Sequence, residues 1–377
     1  MTSSHDVTIG EVVRALRERA GWTQTELAER AALSHHQTVS AIEKGGRSLK
    51  ASELIRLAEL FHVEVRELLM GRIPRSPDLV LWRQITNPEA RGKEESVFLQ
   101  RCRRYAFVER ITDEEPHRVL PSYPLDPGKT SFEVVGGWAE DIGKTLSLGE
   151  VPALSLRRVL EEHTGVKVFL TSLVGGSGAA ARGDFGDAIL ENADEITTRR
   201  AFSLGHELFH LLTWEAVKTL SPEQESRNEQ LANVFASALV LPAGGIRERI
   251  GVQSIETWQW HRFLSQADAF AVSPSAFLWR LKNMGLLTES RVNDLLASPR
   301  RSDWPSTLQS ETPLKESELP RRFVLLAYRA WADGLISIGK LAELLETTVG
   351  MVEPRLAEYG LDLDLDESFD EATVLSS

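Results

Sequence analysis

The segment HELFH at 206–210 constrains this chain more than anything else in its 377 residues. On a helix, a His-Glu-x-x-His pentad sets two imidazoles one turn apart and about 40° apart around the axis, so both can reach a single ion. Zinc takes imidazole nitrogens at roughly 2.0–2.1 Å, which that spacing allows. Glu207 lies beside the pair, where a carboxylate can take a proton from water. The flanks, AFSLGHELFHLLTW, are apolar and free of proline, as a buried helix requires. The pentad alone also fits two histidines packed on an ordinary helix. NEQLAN at 228–233 separates the readings, because a catalytic zinc needs a third protein ligand and an open position. Glu229, 19 residues beyond His210, can supply that ligand from a helix packed antiparallel to the first. Asn233 shares its face one turn on and can orient a ligand imidazole by a hydrogen bond. Glu223 and Glu225 are not expected to be ligands.

HELFH, followed by Glu229, Ala232, Asn233, Phe235, Ala236 and then Leu241-Pro242, resembles the ImmA/IrrE metallopeptidases. The resemblance covers roughly 137–285, including VSPSAFLWRLKNMGLL. It is similar, more distantly, to thermolysin-like enzymes, which have Asp where this chain has Asn233. A neutral amide makes its imidazole partner less basic than a carboxylate would, so zinc is expected to be held less tightly here. The resemblance implies a zincin-like domain with one Zn2+ per chain on His206, His210 and Glu229. It also implies peptide hydrolysis with Glu207 as the proton shuttle, and a role in stress response or mobile-element control by cleavage of a transcriptional repressor. His163, Tyr123, Arg199 and Arg200 are available as a further acid or oxyanion group, and the pattern assigns none of them.

Residues 8–70 are dense in helical periodicity. IGEVVRALRERAG puts Val12, Val13 and Leu16 inward with Gly21 as its stop, and Thr23 with Glu26 forms a T-x-x-E capping box for the next helix. HHQTVSAIEKG follows, with Val39 and Ile42 inward, and two more helices close the bundle. The segment resembles the XRE-type helix-turn-helix of phage repressors. Its turn is one residue longer than usual, so the recognition helix is expected to begin at His36 rather than His35. The resemblance makes duplex DNA the partner, with Gln24, His36, Gln37, Thr38, Ser40, Lys44 and Arg47 as candidate contacts. Gln and Thr suit base edges and the cations suit phosphates. A homodimer would read a two-fold operator.

Charge does not argue against this. The net −12 resides outside residues 1–72, which hold ten Lys/Arg and ten Asp/Glu. The single Cys102 rules out an internal disulfide, and MTSSHDVTIG has neither the basic start nor the apolar run of a signal peptide. No stretch approaches the roughly 18 apolar residues of a membrane span. A cytoplasmic protein without membrane contact is expected.

The fold expected is multidomain and mainly α with a small β-sheet. A five-helix XRE-type bundle (8–72) is followed by a linker and helical connector (73–136), with the break at GRIPRSPD and helix over 79–118. A central α+β peptidase domain (137–300) comes next, with VKVFLTSL a strand and DAILENAD a short edge strand. A linker over 302–320 leads to a small helical domain (321–360), whose LISIGKLAELLETTV reads as a packing or partner-binding element, and an acidic, disordered tail (361–377) ends the chain. The functional expectation is a DNA-binding regulatory zinc protease acting on a repressor. The alternative is a transcription regulator or antitoxin-like protein whose peptidase fold senses or binds without cutting.

Overall fold

The computed structural model describes residues 8–19, 22–61, 63, 65–69, 79–83, 88–114, 120–173, 176–218, 220–251, 254–297 and 319–362. The breaks expected at Gly21, GRIPRSPD and 302–318, and the tail from 363 on, lie outside them. The chain is mainly α with one small sheet, and it divides into two compact units. One holds Met1–Leu79 and Gly92–Arg103, the other Val80–Arg91 and Arg104–Ser377.

In the first unit, α1 (Ile9–Arg19), α2 (Gln24–Arg30), α3 (His36–Glu43), α4 (Ala51–Phe61) and α5 (Val65–Leu69) enclose one core. Val12, Val13 and Leu16 meet Leu27, Val39, Ile42, Leu57 and Leu68 there, all buried. The capping box forms: Thr23 N–H donates to Glu26 Oε2 at 2.7 Å, and Glu26 N–H donates to Thr23 Oγ1 at 3.2 Å. With His35 in an extended conformation as N-cap, α3 begins at His36. A buried ion pair ties the helices together. Arg17 donates to both oxygens of Glu43, at 2.6 and 3.1 Å, and to the Trp22 carbonyl at 2.8 Å.

In the second unit, β1 (Leu79–Arg83), β2 (Lys167–Thr171), β3 (Gly178–Gly183) and β4 (Gly186–Asn192) form a sheet in the order β1-β3-β4-β2. β3 and β4 are an antiparallel hairpin, and β2 runs parallel to β4 from Lys167↔Ala188 to Thr171↔Asn192. Two expectations need correction. Residues 79–83 are a strand, and among the described residues of the 79–118 segment helix is confined to α6 (Pro88–Ile111). DAILENAD is an interior strand: Ala188, Ile189, Leu190 and Glu191 are buried in succession, so β4 is covered on both faces. The boundary expected at 137 falls inside α7 (Phe132–Thr145), which packs on α11 (Pro222–Val240).

Against β3 and β4 lies α9 (Thr197–Leu212), and the fully buried Ala179, Ala180 and Ala181 keep both faces of β3 low. Across α9 lies α11. A Cβ on Gly205 would sit 3.3 Å from Ala236 Cα and 3.4 Å from its Cβ, so only glycine lets the two helices approach this closely. Gly205 faces Ala236, His206 faces Asn233 and His210 faces Glu229, which makes the helices antiparallel. The helices α8 (Pro152–Val159), α10 (Trp214–Val217), α12 (Ala243–Ile250), α13 (Trp260–Ala269), α14 (Pro274–Asn283) and α15 (Glu289–Ala297) complete the body. The last segment, α16 (Arg321–Ala332), α17 (Ile338–Leu344) and α18 (Val352–Ala357), is anchored to that body by buried charge. Lys167 Nζ lies 2.8 Å from Glu109 Oε2, Arg322 pairs with the same carboxylate, and Arg322 donates to Tyr105 Oη at 3.3 Å.

Candidate metal centre

The residues around the pentad fix its environment before any ion is considered. α9 has an apolar sequence after Arg200, and Leu204, Leu208, Phe209, Leu211 and Leu212 are all buried. That sinks the intervening polar positions too: His206 is 0%, Glu207 1% and His210 5% exposed. α11 starts with Pro222 in its first turn, and the Ser221 N–H donates to Gln224 Oε1 at 3.0 Å, which closes the exposed helix start. This helix brings Glu229 to the two histidines with its side chain 47% exposed. The pair of imidazoles is therefore buried and the carboxylate faces the open side.

His206 Nε2 and His210 Nε2 lie 3.1 Å apart, and the Glu229 oxygens lie 3.1 Å from the first and 3.4 Å from the second. All three donor atoms fall within 4.8 Å of one another. His206 Nδ1 is 3.0 Å from Asn233 Oδ1. With the amide oxygen as acceptor, His206 carries its proton on Nδ1 and turns the Nε2 lone pair toward the cluster. Two imidazole nitrogens and a carboxylate oxygen converging with one side open is a donor set that fits catalytic zinc. Among the described residues this is the one cluster of its kind.

The protonation states agree with that fit. Burial pushes His206 down to about 4, against the pull of Glu229, so the ring is a neutral ligand at pH 7. Burial pushes Glu229 up, but the hydrogen bonds with His206 and His210 outweigh it and hold the carboxylate well below its usual range. Glu207 goes the other way: burial raises it to about 7, only partly offset by the charges of His210 and Arg83. Neither Glu207 oxygen has a hydrogen-bond partner among the described residues. A buried carboxylate without a partner is costly, and at a site of this kind the missing partner is a water or a substrate group. Gly178, where β3 begins, makes room for it: a Cβ there would lie 3.3 Å from Glu207 Oε1 and 2.9 Å from the Leu190 carbonyl oxygen.

The other candidates have surroundings of their own. Tyr123 stacks on Trp138 with ring centroids 4.9 Å apart, and Arg199 pairs with Glu195 at 3.4 Å. His163 is exposed in the π-helical turn after α8, and Arg200 is buried. Reading the sequence overlooked Arg83 of β1, whose Nη1 is 3.5 Å from Ser203 Oγ and whose charge bears on both His206 and Glu207. Ser203 is 120 residues away in sequence, so nothing local signals the contact.

In the first unit, His36, Gln37 and Lys44 are exposed, and Thr38 and Ser40 are half-buried. Gln24 donates to Glu43 Oε2 at 2.8 Å, and Arg47 pairs with Glu53 at 2.8 Å. Those two side chains have partners within the bundle, so Lys44 is the freest cation among the candidates.

Residues 13–68 match a family model described as a helix-turn-helix. Residues 161–282 match one described as the IrrE N-terminal-like domain, a span that holds the two histidines, Glu207, Glu229 and Asn233. A search of curated proteins finds no match to the chain.

Proposed function

We propose that this chain, an XRE-type helix-turn-helix domain joined to an IrrE-like peptidase-family domain, is a DNA-binding regulatory zinc endopeptidase. The observation that carries the proposal is the convergence of His206 Nε2, His210 Nε2 and a Glu229 oxygen beside the buried, unpartnered carboxylate of Glu207. Zinc bound there would polarise a substrate carbonyl and acidify water. Glu207, poised near 7, accepts the proton of the attacking water and returns it to the leaving amine. Asn233 fixes the His206 tautomer, and the buried ring of Phe209, which packs against His210 and Phe235, helps to exclude bulk water. The substrate we assign is a protein partner, in the first instance a transcriptional repressor, and the setting we assign is cytoplasmic, where a helix-turn-helix would meet its operator; no helix among the described residues is long and apolar enough to cross a membrane.

The exposed His36 and Gln37 of α3, with Lys44 capping its C-terminal end, support operator recognition by that helix, with Thr38 and Ser40 beside them. Elemental analysis of purified protein should give about one zinc per chain, lost in His206→Ala and His210→Ala. Full occupancy in the double variant refutes the centre, and zinc lost in Glu225→Ala but kept in Glu229→Ala would place α11 in the wrong register. Proteomes of cells making the wild type and Glu207→Gln should differ by a fragment present only with the wild type. Zinc bound with no such fragment would leave a regulator that does not cut.

A further inference from the structure

β3 begins against Glu207 at Gly178, and it has a sheet neighbour on each side. One is β4, its hairpin partner. The other is β1, of which Val80–Arg83 belongs to the same compact unit. The Arg83 carbonyl accepts a hydrogen bond of 3.3 Å from the N–H of Ser177, the residue before Gly178, so β1 reaches the position next to the Glu207 carboxylate. The Arg83 side chain approaches the same place through Ser203, three residues before His206.

Without β1, β3 would be the outer edge of the sheet. A bare edge offers a row of backbone N–H and C=O groups, on which an extended peptide can add as a further strand. The hold of β1 is slight: five residues long, with Val80 buried and Leu81, Trp82 and Arg83 only half-buried. β2, on the opposite side, has four of its five residues buried. Among the described residues, β1 is the first element after the helix-turn-helix bundle, and nine residues separate it from α5.

We propose that β1 is an internal occupant of the sheet edge beside Glu207, and that an extended peptide substrate pairs with β3 only after β1 has left it. The proposal rests on the peptidase reading and adds to it a built-in block on substrate entry.

The test uses the full chain carrying Glu207→Gln, which prevents turnover, with Leu81→Pro or Trp82→Pro added. Each proline removes one backbone N–H from β1, and adjacent positions point their N–H groups to opposite sides, so one of the two must break the ladder. Amide hydrogen exchange is followed at those amides of Ala179–Gly183 that are directed away from β4, with unfolded casein as the peptide probe. The parent should keep these amides protected whether or not casein is present. At least one proline variant should exchange about ten-fold faster there, and casein should restore the protection. Amides that stay protected in both proline variants overturn the proposal, and so does exchange that casein does not slow. Casein cleavage by the proline variants with Glu207 intact is scored separately. Cleavage that Glu207→Gln fails to abolish would refute the peptidase reading and leave the pairing result standing.

Discussion

Replacing Glu207 by Gln should stabilise the metal-free protein, and the effect should depend on pH in a defined way. The carboxyl is fully buried, lacks a partner, and is raised from 4.5 to about 7 in the folded state. A group whose folded pKa is raised contributes most below its unfolded pKa, and that contribution disappears as pH rises through the folded value. The wild type should therefore lose stability between about 4.5 and 7 on this account alone. At 1.36 kcal/mol per unit the span corresponds to roughly 3 kcal/mol by pH 8. A glutamine avoids the charge, and the amide it buries lacks the same partners as the neutral acid it replaces, so that cost falls on both proteins. The net gain at pH 8 should then be about 2–3 kcal/mol, or several degrees in Tm for a unit of this size. His206, lowered to about 4, titrates with the opposite sign and is lost as pH falls, and it is common to both proteins. Urea unfolding in excess chelator, followed by tryptophan fluorescence from the unit that holds the buried Trp214, is the assay. Equal midpoints at pH 8, or a wild type that gains stability relative to the variant from pH 5 to 8, would refute the argument that this carboxylate is ionised at a cost.

Further outcomes follow from the same geometry. Gly205→Ala gains about 1 kcal/mol of helix propensity but must separate α9 from α11 by a few tenths of an ångström, so stability should stay flat or fall by about 1 kcal/mol while zinc affinity drops about ten-fold by competition titration. Asn233→Ala should weaken zinc by about 10–100-fold and Asn233→Asp should strengthen it, and equal affinities for all three would remove Asn233 from the centre. For DNA, Lys44→Ala should weaken all sequences alike and reduce the slope of log K against log salt by about 1, from a total of ~3–5 phosphates per protomer. Gln37→Ala should relax sequence preference and leave non-specific binding nearly unchanged, both read by fluorescence anisotropy.

The parts legible in the sequence are those fixed by local chemistry. The ligand helices announce themselves because imidazole spacing, apolar periodicity and helix geometry share one period, and the Thr23–Glu26 box forms between residues three apart. β1 was not legible: LVLWR has no alternation, and five residues beside a long basic helix give no strand signal of their own. The interior place of β4 was missed because AIL is too short a run to tell an edge strand from a covered one. Lys167, Glu109 and Arg322 look like surface charges in one dimension, since the partners that let them be buried lie 58 to 213 residues apart.

That buried charge cluster bears on how freely the last helices could be exchanged among proteins. Glu109 is shared between Lys167 and Arg322, and Tyr105 rests against Phe323 with centroids 5.2 Å apart. Burial raises the Tyr105 phenol, so it remains a neutral hydroxyl beside two cations and a carboxylate. Removing α16 would leave Glu109 with one cation in place of two and uncover the Tyr105 ring where Phe323 packs on it. A helical segment swapped in from another protein would have to bring both an arginine and an aromatic ring in this register. The segment is thus less an appended module than a cover over a buried carboxylate, and drift in α16 is constrained by residues on α6 and β2 that it never meets in sequence.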